Sequence, residues 1–431
     1  MSLLGCRAVL GIGDPSVVDG GADGSADIGA ADVGSAGSDS VRSIVVGDVD
    51  TCAVFSNGRA KCWGQGFGAS GVRGCFSDFQ RGAALPYLDF GKNVSVKQIV
   101  SGRNHLCALT VDGKVKCWGT NQSGELGLGD DVTRGCAGMG DALPFVNLGG
   151  NVEALAAGSK HTCAILENGS AVKCWGGNSE GQLGLGHTQD VGKQVQDIPF
   201  VPLDLGQKAV KEIAASENYT CVKLISSQIK CWGEGGPYLG AGDTRSRGTS
   251  PSDMGEALQP VATGFEAASI APACAIDAEG HGKCWGIVWG LGASVFIGSA
   301  PNEVSKLAFF DFGKAGRMTK FARYSMGICA IQEQALRCWG PNASGQLGNG
   351  STLGWGDDMT ELIKQLAPVD LGSNRYAVDV SVGPEHVCAV LDDGTAKCWG
   401  SNEYGQLGIA GGRRGDEPGE MGDALPTVEL F

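Results

Sequence analysis

No run of eighteen or more apolar residues occurs in the chain, so no segment reads as a membrane-spanning helix. Charge is scarce, at 19% of the 431 residues, and one-sided, with a formal balance of −14. Lys and Arg never gather into a cluster; without one a phosphate backbone finds no counter-charge, which argues against a nucleic-acid partner. Histidine is limited to five residues, and no P-loop or H-E-x-x-H segment is present. That shortage points away from an enzyme, and no cofactor is expected.

What is plentiful is glycine, with 72 residues, and cysteine, with 17. A glycine-rich chain of low charge reads as turn-rich and all-β. Residues 11–40 contain only Gly, Ala, Asp, Ser, Val, Ile and Pro. Such a stretch cannot bury enough apolar surface to offset its ordering entropy, so residues 1–41 are expected to form a disordered acidic tether.

From residue 42 to 431 one unit repeats. CALTVDGKVKCWG (107–119) sets two cysteines ten apart across a turn and closes on Trp-Gly. The same pattern begins at Cys52, Cys107, Cys163, Cys221, Cys274, Cys329 and Cys388. It ends at Cys62, Cys117, Cys174, Cys231, Cys284, Cys338 and Cys398. Each unit reads as four short alternating strands bounded by Gly, Asn or Asp. A small sheet repeated seven times, unable to bury its own faces, predicts one domain: a seven-bladed β-propeller with four antiparallel strands per blade. The chain ends at ALPTVELF (424–431), like ALPFVNL (142–148), so the C-terminal strand is expected to close the first blade.

A three-residue turn with Gly113 at its left-handed position sets Cys107 opposite Cys117, at a non-hydrogen-bonded site within disulfide reach. In the third unit the cysteine spacing is one longer and the turn lengthens to match; in the sixth both are one shorter. Seven hairpin disulfides are therefore expected, with reduced buried thiols as the alternative. A metal is not, since each pair offers two ligands and no second pair accompanies it. Disulfides persist outside the reducing cytosol, so the chain is expected to be exported.

CAILENGSAVKCWGGNSEGQLGLG, CWGPNASGQLGNG and CAVLDDGTAKCWGSNEYGQLG resemble the regulator of chromosome condensation repeat family, whose mark is W-G-x-N-x-x-G-Q-L-G after a hairpin. The resemblance covers residues 42–431 and implies the propeller; the paired cysteines look like a bacterial, exported branch. CWGEGGPYLGAG and CWGIVWGLGASVF depart from the pattern. Eukaryotic members exchange guanine nucleotides on a small GTPase at chromatin, so an exchange-factor-like regulator is an alternative that the resemblance implies.

His105, His161 and His386 share one repeat position, two before the first cysteine, and read as structural hydrogen-bonders. The seven repeat tryptophans, Trp63 to Trp399, fit blade-to-blade packing, whereas Trp289 and Trp355 lie outside that position. The loops between units hold RGCAGMGDALP, SDMGEALQP, DDMTELIKQLAP and RGDEPGEMGDALP, sharing Met-x-acid with a Leu one or two residues on. Asp141, Glu256, Glu361 and Asp423 would form an arc of carboxylates edged by Arg134 and Arg414. That arc is either a docking surface or a set of capped turns with inward Met and Leu.

Cys75 and Cys136 each follow Arg-Gly in consecutive loops and are candidates for a bond between blades. Cys6, in LLGC ahead of the tether, resembles a lipoprotein cleavage site that would anchor the chain to a membrane. The leading reading is a non-enzymatic module at a bacterial envelope or outside the cell, binding a protein partner through its loops. A glycan is the second reading, with Trp289, Trp355 and Tyr404 as stacking platforms.

Overall fold

The computed structural model describes residues 39–65, 85–135, 138–197, 200–206, 208–290, 295–313, 316–358 and 360–431. The expected tether as far as residue 38, with Cys6, and the possible Cys75 and Cys136 bond lie outside the described residues.

Among the described residues seven three-stranded antiparallel sheets follow one another along the chain. The first comprises Val41–Val46, Asp50–Phe55 and Ala60–Gly64, and the second Val96–Ser101, His105–Thr110 and Val115–Gly119. The third runs Val152–Ala157, His161–Leu166 and Ala171–Gly176, and the fourth Val210–Ser216, Tyr219–Leu224 and Ile229–Gly233. The fifth is the smallest, with Ala267–Ala271, Cys274–Asp277 and Gly282–Cys284. The sixth holds Met318–Tyr324, Gly327–Gln332 and Ala335–Trp339, and the seventh Ala377–Val382, His386–Leu391 and Ala396–Gly400. The shortened loop after Trp285 becomes a two-stranded ribbon, Gly286–Val288 with Val295–Ile297.

The middle strands contain the first cysteine of each pair and are buried along almost their whole length. Both faces are covered because neighbouring sheets pack on each side. In each sheet the first strand slips register after its opening residue, as between Val96 and Gln98. Such a bulge bends the strand and increases its twist.

Outside the third strand runs an extended segment that forms one backbone bond to it. Leu88 N donates to Ala60 O and Val146 N to Val115 O, both at 2.8 Å. Leu203, Val261, Phe310 and Val369 repeat the contact in the third to sixth sheets. A single bond does not extend the ladder, so each sheet has three strands where the sequence pattern predicts four.

These bonds correct the expected closure. Val428 N donates to Ala396 O of the seventh sheet, so the C-terminal segment belongs to the last sheet rather than the first. Residues 85–90, LPYLDF, hold that place in the first sheet through Leu88, and their likeness to LPFVNL escapes a search upstream of residue 42. The ring still closes between the last and first sheets. Val41 N donates to Gly394 O at 2.8 Å, and Val41–Val46 packs on Ala377–Val382 and His386–Leu391.

Candidate functional site

The paired cysteines face each other in all seven hairpins, Cys107 opposite Cys117 and Cys329 opposite Cys338. All seven disulfides are formed, with Cα separations of 4.0–4.1 Å. They are consistent with an oxidising, exported environment. No helix among the described residues is long and apolar enough to cross a membrane.

The three repeated histidines are fully buried and join successive sheets. Nε2 lies 2.8 Å from Thr162 Oγ1 for His105, 2.9 Å from Thr220 for His161 and 2.9 Å from Thr51 for His386. The Thr51 hydroxyl donates its one proton to Gln406 O at 2.9 Å, so His386 Nε2 donates to Thr51. Burial pushes His105 down to about 4 and His161 and His386 down to about 3, so all three are neutral fixtures of the junctions. Asp50 takes the same place in the first sheet, and burial together with Asp48 pushes it up to about 7.

The repeat tryptophans also pack across junctions. Trp175 Nε1 donates to Glu125 O, Trp232 to Gln182 O and Trp399 to Gln346 O, each at 2.9 Å, while Trp63 closes the ring on Gln406 O at 2.9 Å.

The sequence reading missed one ring of residues: the cation directly before each second cysteine. Lys116 Nζ donates to Phe90 O and Gly140 O at 2.8 and 2.7 Å. Lys230 does the same with Leu205 O and Gly255 O, and Lys397 with Leu371 O and Gly422 O. Lys61 reaches Leu430 O at 2.9 Å across the ring closure, and Arg337 Nε donates to Leu366 O at 3.1 Å. The signal was present in K-C-W-G, but alternation hides it because Lys stands between two inward cysteine and apolar positions. Burial pushes Lys116, Lys230 and Lys397 down, and nearby carboxylates oppose that: Asp141 and Asp89, Glu256 and Asp204, Asp423 and Asp370.

Asp141, Glu256 and Asp423 therefore occupy one repeat position but stand at three separate junctions. Asp141 Oδ1 accepts from Lys92 N at 3.0 Å, and Asp423 accepts from Ser373 N and Oγ at 2.8 and 2.6 Å. Glu256 is exposed beside Gly206. Leu143, Leu258 and Leu425 pack inward beneath them. Glu361 departs from this set. The short helical turns Gly140–Ala142 and Gly422–Ala424 correspond to Ile363–Gln365, which puts Lys364 in the acid position. Counting back from the Leu ahead of Pro, and not from Met, would have found it. Glu361 Oε2 instead accepts from Gly356 N at 2.8 Å, as Glu420 does from Gly415 N at 2.9 Å.

Arg134 and Arg414 bridge backbone to Gly119 and Gly400, with Arg247 and Trp355 in the same position of other units. Arg134 pairs with Asp130 at 2.6 Å, while Arg414 lies 3.8 Å from Glu420. Trp289 and Trp355 are half-buried against one wall between the fifth and sixth sheets. Tyr404 is 47% exposed in the loop of the seventh sheet. These three do not assemble into one stacking platform.

The first strands of all seven sheets enclose a central channel of about 370 Å³. Its charges are largely engaged: Glu212 with Lys223, Asp379 with Lys320. At one mouth the Tyr324 hydroxyl donates to Asp48 Oδ1 at 2.8 Å, from the sixth sheet to the first. Asp277, Glu279 and His281 could hold a cation in the fifth hairpin, but Asp277 Oδ1 already accepts from Glu279 N and His281 N.

Sequence profiles described as Regulator of chromosome condensation (RCC1) repeat match residues 96–125, 152–182 and 377–406, and also 112–165, 172–222 and 338–390. The Ultraviolet-B receptor UVR8 of Arabidopsis thaliana is 27% identical over 320 residues, 72% of this chain and 66% of the receptor. The Secretion-regulating guanine nucleotide exchange factor of Bos taurus is 26% identical, over 72% of this chain and 64% of its own. The chain thus spans less than two thirds of these curated relatives' length. Human WBSCR16 shares the fold, with a TM-score of 0.57 at 18% identity over 80% of this chain and 84% of its own. All-β, ring-closed and built from these units, the chain is a repeat propeller. It is of the regulator of chromosome condensation type, with a cysteine pair in each hairpin.

Proposed function

We propose that the chain is an exported, non-enzymatic binding module that presents its inter-sheet loops to a protein partner. In this reading it is a seven-bladed propeller, each sheet taking its singly bonded outer segment as the fourth strand. The observation that carries the proposal is the division of labour within the loops. Their repeated Asn and Leu side chains are buried and their carbonyls accept from the repeat tryptophans and lysines, while Val132, Val195 and Leu353 are 55%, 78% and 75% exposed. Apolar residues on loops held by rigid sheets are the usual material of a protein interface. One relative is named an ultraviolet-B receptor and another a secretion-regulating guanine nucleotide exchange factor, and both names describe regulatory proteins. Seven disulfides support a partner outside the cytosol.

The test is crosslinking capture from the native envelope fraction. A Val132→Ser, Val195→Ser, Leu353→Ser variant should lose the captured protein at unchanged melting temperature, while Asp141→Asn with Asp423→Asn retains it. The reverse pattern would make the acidic rim the contact and overturn the apolar reading.

A further inference from the structure

Each junction between sheets sets a residue two before one first cysteine against a residue just before the next. His105 meets Thr162, His161 meets Thr220 and His386 meets Thr51. Where histidine is missing, other bulk takes the space. Tyr219 packs in one cluster with Ala273, and at the next junction the Arg323 guanidinium reaches Ala273 O and Trp285 O.

The junction between the sixth and seventh sheets has neither. Gly327 holds the histidine position and Val387 the threonine position. A Cβ on Gly327 would meet only Tyr324 O and a Val382 methyl, both at 3.6 Å. What remains is a cavity of about 270 Å³ walled by Ile328, Leu347, Val382, Pro384 and Val387. Glu217, from the fourth sheet, and Tyr324 stand at its rim. Tyr324 is tied to Asp48, and Asp48 pairs with Arg103 at 3.2 Å. Arg323 is committed to the carbonyls of Ala273, Trp285, Ile287 and Ser325. The Glu217 carboxylate has no hydrogen bond or ion pair among the described residues.

We propose that this cavity binds a small amine with a single-ring apolar body. The ring fills the space that an imidazole fills at three other junctions, and the ammonium faces Glu217. An apolar cavity of about 150 Å³ already holds benzene, so this one has room for a ring and a short arm. Desolvating the ring supplies affinity, and the carboxylate selects the charge of the arm.

Titration of the oxidised protein with phenethylamine and with phenylacetate, followed by the methyl shifts of Val382 and Val387, tests this. Phenethylamine should give saturable shifts, and phenylacetate should bind about tenfold more weakly because its charge repels Glu217. Glu217→Gln should abolish that preference. Gly327→Leu should bind neither compound while melting no earlier than the parent, since open space receives the side chain. Val387→Phe, filling the opposite wall, gives a second blocked form should the leucine variant fold poorly. Absence of saturable shifts, binding retained in both blocked variants, or equal affinity for the two compounds overturns the proposal.

Discussion

The buried titratable residues at the junctions set how the fold responds to acid. His105, His161 and His386 are held well below the ordinary imidazole value of 6.5. Between that value and about 4, the unfolded chain binds protons that the folded chain refuses, so their contribution to stability falls as pH falls. Asp50 acts oppositely. Held at about 7, it keeps a proton that the unfolded chain releases above 3.8, so its contribution falls as pH rises toward 7. Three groups outweigh one. The melting temperature should drop as pH is lowered from about 7 to about 4.5, and more steeply in Asp50→Asn. A flat profile in both proteins would show that the junctions open to take up protons. The histidines were legible in the sequence as structural because repetition placed them. Their threonine partners were not, since the contact joins different units and no local spacing encodes it.

At the scale of the hairpin, turn length and cysteine spacing change together, and that alone set the register that the structure shows. Each disulfide closes a loop of nine to eleven residues. Replacing Cys107 and Cys117 together by Ala should cost about 2–3 kcal/mol, read as a lower denaturation midpoint. Without reductant, the fourteen hairpin thiols should resist alkylation; if most react, the bonds do not form and export loses its main support. The outer segments were less legible. Their apolar alternation looks like a fourth strand, but Pro and Gly flank them, as in ALPFVNLGG, and leave one backbone bond to the ladder. Glu361 was misplaced for a related reason: an insertion before Ile363 keeps a Met and an acid in view while shifting the turn that orients them.

Across the whole molecule one junction is bridged by no continuous run of chain, the one where the seventh sheet meets the first. There the C-terminal segment is held by the seventh sheet yet completes the cover of the first. Leu430 O accepts from the Lys61 ammonium, Phe431 meets Phe55 edge-on at 5.6 Å, and Val428 lies with Trp63 in one core cluster. Among the described residues no covalent connection secures this junction, whereas the other six are also linked by the chain itself. Deleting residues 424–431 would take the Leu430 carbonyl away from a buried ammonium and uncover a tryptophan that is 1% exposed. Losing a charged hydrogen bond and that apolar cover together should cost several kcal/mol, on the order of 3–5. The newly exposed outer edge of the seventh sheet would then be free to pair with other chains. The expected result is a lower melting temperature and concentration-dependent association by light scattering. Lys61→Met should cost less stability in the truncated protein than in the full-length one, because only the full-length chain offers the Leu430 carbonyl to that ammonium. A truncated chain that melts unchanged as a monomer would mean that the ring is held shut by the Val41, Thr51 and Trp63 contacts alone.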